Sequence, residues 1–102
     1  MKFWLHPRAK SDLLDIVDYY TGISAELAER FTVELNSTLL GLCSHPGLGS
    51  RRYSHFLPDQ SLRCWHLDHF PFLVFYRVDG NSLGVLRILH ERRDLSASLI
   101  DR

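Results

Sequence analysis

The run Phe70 to Val78, FPFLVFYRV, constrains the fold of this chain more than any other segment. Phe72, Val74, Tyr76 and Val78 alternate onto one side of a strand, and Leu73 and Phe75 fall on the other, followed by Arg77. A sheet with one wet face shows polar residues there, so a strand apolar on both faces must lie between two covering layers. Asp79-Gly80-Asn81 then marks a tight hairpin into a further apolar run, Leu83 to Leu89. Leu62 to Leu67 supplies a third run before them. The second face is to be covered either by the C-terminal segment or by a partner.

Lys2 to Leu5 reads as a short first strand, and Pro7 opens a helix at its first turn. Ala9, Leu13, Ile16, Val17 and Tyr20 make its apolar stripe, with Lys10, Asp12, Asp15 and Asp18 mostly off it. Gly22 breaks this helix and Ser24 caps the next, whose stripe is Ala28, Phe31, Leu35, Leu39 and Leu42. So short a link forces an antiparallel helical hairpin. Pro46 ends the second helix. Residues 47–61 read as a loop with one short irregular strand around Tyr53 to Phe56, and Leu95 to Ile100 as one or two helical turns. Helices followed by a block of strands predict a single α+β domain over residues 1–102. Its N-terminal strand and antiparallel helical hairpin pack on a twisted antiparallel sheet of three or four strands.

Length and apolar content support one packed core. No apolar run is long enough for a membrane span, and the N-terminus lacks a signal-peptide stretch, so a cytoplasmic location is expected. Cys43 and Cys64 are then expected to be reduced. Twelve basic and twelve acidic groups cancel, which argues against direct DNA binding. The balance is uneven. Residues 1–50 carry four basic and six acidic groups, and residues 51–102 eight and six, all eight being Arg. Arg63, Arg77 and Arg87 fall one on each C-terminal strand, with Arg51 and Arg52 before them and Arg92 and Arg93 after. Each suits an ion pair with a nearby carboxylate; together they suit an acidic protein segment or phosphates.

No phosphate loop, metalloprotease or nucleophile-elbow motif occurs. His66, Asp68 and His69 imitate metal ligands but read as a solvated turn, so no metal or cofactor is expected. His90 is either a general acid or base or a structural residue closing the last strand.

Three segments together carry a resemblance: Leu62-Arg63-Cys64-Trp65, Phe70 to Val78, and Val85 to His90 followed by Arg93-Asp94. Upstream, Ala9, Asp12-Leu13, Ile16, Tyr19-Tyr20, Ala28 with Phe31, and Pro46 with Gly49 and Arg52 extend it. In order and spacing the chain, from about Phe3 to Leu95, resembles the ParE branch of the RelE/ParE toxin superfamily. The resemblance implies a small bacterial type II toxin of that fold, acting on DNA gyrase and silenced by a cognate ParD-like antitoxin encoded beside it. DNA contact would then come only through the antitoxin. That partner should have a DNA-binding N-terminus and an acidic amphipathic C-terminal segment.

The alternative is a RelE-like ribosome-dependent mRNA endonuclease. Alignment through Tyr76 places Leu73 where that branch carries a sheet arginine, and Cys64 and His66 where it carries lysines. The last residues, Ser96 to Arg102, lack its tyrosine. A leucine cannot stabilise transition-state charge, so a protein-binding toxin without catalytic residues is the favoured reading. His66, Arg87 and His90 are the catalytic candidates under the alternative. Arg63, Arg77, Arg87, His90 and Arg93 are the candidates for partner or target contact.

Overall fold

The computed structural model describes residues 1–93, Leu95 and Leu99. Its elements are β1 (Lys2–Leu5), α1 (Pro7–Thr21), α2 (Ala25–Ser44), β2 (Arg63–His66), β3 (Phe72–Asp79) and β4 (Ser82–His90), with 3-10 turns at Pro46–Leu48 and Ser54–Phe56. The strands form one sheet in the order β1-β4-β3-β2. The α+β architecture is the expected one, and β2, β3 and β4 are antiparallel neighbours. Strand β1 joins parallel to β4, from Lys2 opposite Ser82 to Leu5 opposite Val85, which makes the sheet mixed. Parallel neighbours need a long crossover, and here the helical hairpin and two strands intervene.

Local chemistry sets the helix ends. Nδ1 of His6 accepts a hydrogen bond from the Arg8 amide at 3.1 Å, ahead of Pro7 at the first helical position. Ser24 Oγ accepts from the Leu27 amide at 3.1 Å and caps α2. The hairpin turn between β3 and β4 pairs Asp79 with Ser82, leaving Gly80 and Asn81 as its loop. Gly80 has φ +62°, the left-handed backbone that glycine adopts without strain.

The helices bury their stripes against one face of the sheet. Tyr20, Phe31, Phe70 and Phe72 form an aromatic centre there, with Phe31 and Phe70 edge to face at 5.2 Å. Tyr76 is fully buried beneath it. Its hydroxyl donates to the Pro46 carbonyl at 2.8 Å and accepts from the Gly49 amide at 2.9 Å, so one core side chain pins the turn after α2. Gly49 is required at this contact, since a Cβ there would lie 2.2 Å from the Tyr76 hydroxyl oxygen.

The other face is closed by the chain itself. Leu62, Cys64, Phe75 and Leu89 are buried under Tyr53, Phe56 and Leu57 from the loop, together with Leu95 and Leu99. Both of those C-terminal leucines are helical; the rest of the expected 95–100 turn lies outside the described residues. The irregular strand expected around Tyr53 to Phe56 is instead a 3-10 turn. A strand would send alternate side chains to opposite sides. The turn places Tyr53 and Phe56 in a 6.2 Å stack, with Tyr53 edge-on to Phe75 at 5.5 Å. The loop's ladder contact with β2 is a single bridge, Ser50 to Cys64. This sheet face therefore needs no partner to cover it.

Gly49→Ala should destabilise the fold by about 1–3 kcal/mol, because Tyr76 has no room to withdraw. Urea denaturation followed by tryptophan fluorescence measures this; an unchanged midpoint would show that the contact is looser than described.

Candidate functional site

The basic residues of the sheet go to separate partners. Pairing on β4 runs Arg87 opposite Phe75 and then Val85 opposite Tyr76, so Leu86 is an extra residue in a bulge. Strand β1 stops at Leu5, opposite Val85. Beyond that point α1 flanks the edge of β4, and Asp12 serves it. Asp12 Oδ2 accepts from the Ile88 amide at 2.9 Å and from Arg87 Nε at 2.8 Å. Its Oδ1 accepts from Arg87 Nη2 at 3.0 Å. The two side chains are only 10% and 13% exposed. A bidentate pair with a third charge-assisted bond is both strong and specific in geometry. Expected among the off-stripe acids of its helix, Asp12 is instead the buried charge of α1.

Arg63 is spent elsewhere. Its Nη1 donates to the carbonyls of Gly49 at 3.0 Å and Gly47 at 3.3 Å, on the helical side of β2. Arg77 lies on the opposite sheet face, with Nη2 3.8 Å from Asp79 and a buried Nε that has no partner among the described residues. His90 Nδ1 accepts from the Arg92 amide at 3.1 Å, and its ring meets Phe72 edge-on at 5.4 Å. The Arg93 amide donates to the His90 carbonyl at 3.0 Å. Among the described residues, the side chains of Arg92 and Arg93 make no ion pair. Among the contact candidates, Arg63 and Arg77 thus lie on opposite sheet faces, and Arg63, Arg77, Arg87 and His90 each take a different partner.

The catalytic candidates are also dispersed. His66 follows Cys64 and Trp65 on β2 and turns to the loop-covered face, where Nε2 lies 3.0 Å from Glu91 Oε2. Its other ring nitrogen faces the Leu67 carbonyl. Hydrogen bonding to Glu91, then to that carbonyl, raises its pKa. His90 lies against the helical face through Phe72, and Arg87 is held by Asp12. His69 turns from His66 to α2, with Nδ1 2.7 Å from Glu34 Oε1. Cys64, at a lysine position of the ribonuclease branch, is buried, and desolvation pushes its thiol up to about 11. Leu73 packs into the apolar cluster under the loop.

A chain from the chromosomal ParDE TA system of P. aeruginosa has the same fold. It superposes with a TM-score of 0.72 at 25% identity, covering 88% of this chain and 95% of its own. No curated protein matches the sequence. Residues 4–95 match the family described as the ParE toxin of the type II toxin-antitoxin system, parDE. The chain belongs to this family and is a ParE-type toxin of the RelE/ParE superfamily.

Asp12→Ala removes the carboxylate that takes the Ile88 amide and the bidentate pair with Arg87. It should cost about 3–5 kcal/mol, and Asp12→Asn, which keeps an oxygen near Ile88, should cost less. Thermal denaturation of the two variants tests the order; equal midpoints for Asp12→Ala and the parent protein would contradict it.

Proposed function

We propose that this ParE-type toxin arrests growth by binding DNA gyrase, and that a cognate antitoxin neutralises it. Family membership over residues 4–95 carries the reading. The placement of the basic groups supports a binding role over ribonuclease chemistry. Stabilising a phosphorane needs cations and a general base converging on one point. Here Arg87 is engaged by Asp12, the His66 and His90 rings lie on opposite sheet faces, and the Cys64 thiol is buried and neutral. No helix among the described residues is long and apolar enough to cross a membrane, as suits a toxin with a DNA-bound enzyme for its target.

Purified toxin should inhibit supercoiling of relaxed plasmid by gyrase in a dose-dependent way, and added antitoxin should restore it. Full supercoiling at excess folded toxin, or codon-phased mRNA cleavage after induction, would contradict the proposal.

A further inference from the structure

The turn between β2 and β3 is fastened on each side by a histidine on a carboxylate. His69 meets Glu34 of α2, with Nδ1 2.7 Å from Oε1. His66 meets Glu91, just beyond β4, with Nε2 3.0 Å from Oε2. The two contacts differ in what they ask of the proton. His69 meets its carboxylate through Nδ1, and a neutral ring protonated there makes that bond. His66 is bonded at both ring nitrogens: Nδ1 faces the Leu67 carbonyl while Nε2 faces Glu91. A carbonyl and a carboxylate only accept, and a neutral imidazole has one N–H to offer. The imidazolium alone makes both bonds together.

His66 stands beside the cover of the second sheet face. In the ladder it pairs with Leu73, and Leu73 with Leu89. Both leucines lie in the cluster that Leu95 and Leu99 close from the C-terminal side. Glu91 is the first residue after β4 on the way to them. The charged groups acting on the ring are both acids, Glu91 from the end of β4 and Asp68 from the turn, and β3 sets the uncharged Leu73 opposite it. The paired side chains are half exposed, so the ring exchanges its proton with solvent and water screens the pair.

From this geometry we propose that His66 is a pH-sensitive latch: its imidazolium bridges the Leu67 carbonyl and Glu91 and holds the C-terminal segment over Leu73 and Leu89. When the proton leaves to solvent, one ring lone pair faces an oxygen lone pair, and the ring lets one acceptor go. The bonds to Glu91 and then to Leu67 raise the pKa of His66. The hold is therefore complete below the ordinary histidine value of about 6.5 and is lost as pH rises through the raised one. The Glu91 amide keeps a bond that does not titrate, to the Pro71 carbonyl at 2.9 Å, so release is partial. The latch stands apart from the choice of target.

An NMR titration of the imidazole carbons in the full-length toxin follows each ring separately. His66 should lose its proton above about 6.5. Over the same range the released fraction of the C-terminal segment, measured by relaxation dispersion at the Leu95 and Leu99 methyls, should rise about two- to fivefold. Glu91→Gln should lower the His66 midpoint and raise the released fraction at low pH to the parent's value at high pH. His69→Gln should leave the pH dependence in place. A His66 midpoint at or below the ordinary value would show that the ring does not hold both acceptors and would overturn the latch. A raised midpoint with unresponsive Leu95 and Leu99 methyls would overturn its hold on the C-terminal segment.

Discussion

The Asp12 carboxylate joins the helical layer to the half of β4 that β1 leaves uncovered. A four-residue strand can satisfy only part of a nine-residue neighbour. The remaining edge would expose backbone donors to water or to another chain. Asp12 takes the Ile88 amide and two nitrogens of the Arg87 fork, so α1 acts as a surrogate strand over this stretch. The bulge at Leu86 directly precedes this contact: Arg87 reaches Asp12, while Leu86 and Leu89 pack in the cluster under the loop. Docking of α1 and the edge of β4 meet at this one ion pair.

Much of this was legible from residue spacing. The period of each helix stripe, Pro7, Ser24 and Pro46 marked the helices, and the Asp79-Gly80-Asn81 turn marked the last hairpin. Contacts between distant segments were not legible in the same way. Lys2 to Leu5 carries no local signal for a parallel partner some eighty residues away. Asp12 sits at helical spacing like its neighbours Asp15 and Asp18, and only the uncovered β4 edge distinguishes it. Tyr53 to Phe56 has strand-like composition, but its aromatic rings gain more by folding together over Phe75 than by alternating. The apolar pattern of β3 did state that both faces are covered, and the loop with the C-terminal leucines supplies the second cover.

The arginines show how a sequence tally can mislead about function. Placed one per strand, they suggest a common basic surface. Strand alternation and the bulge instead send Arg63 toward the turn after α2, Arg77 toward Asp79 and Arg87 into α1. Arg chemistry, a planar fork suited to oxygen acceptors, is used here mainly to hold loops and layers together. Exposed apolar side chains stand instead on α1, on α2 and in the loop after it. They came from residues that periodicity set aside, such as Val33, and from loop residues such as Leu48.

The exchange rate of the Ile88 amide hydrogen tests the central structural claim most directly. If Asp12 seals the edge of β4, Ile88 exchanges only through global opening, as slowly as the amides of the central strand β3. Exchange as fast as that of the exposed hairpin-tip amides of Gly80 and Asn81 would show that this edge is open and that α1 is not anchored there.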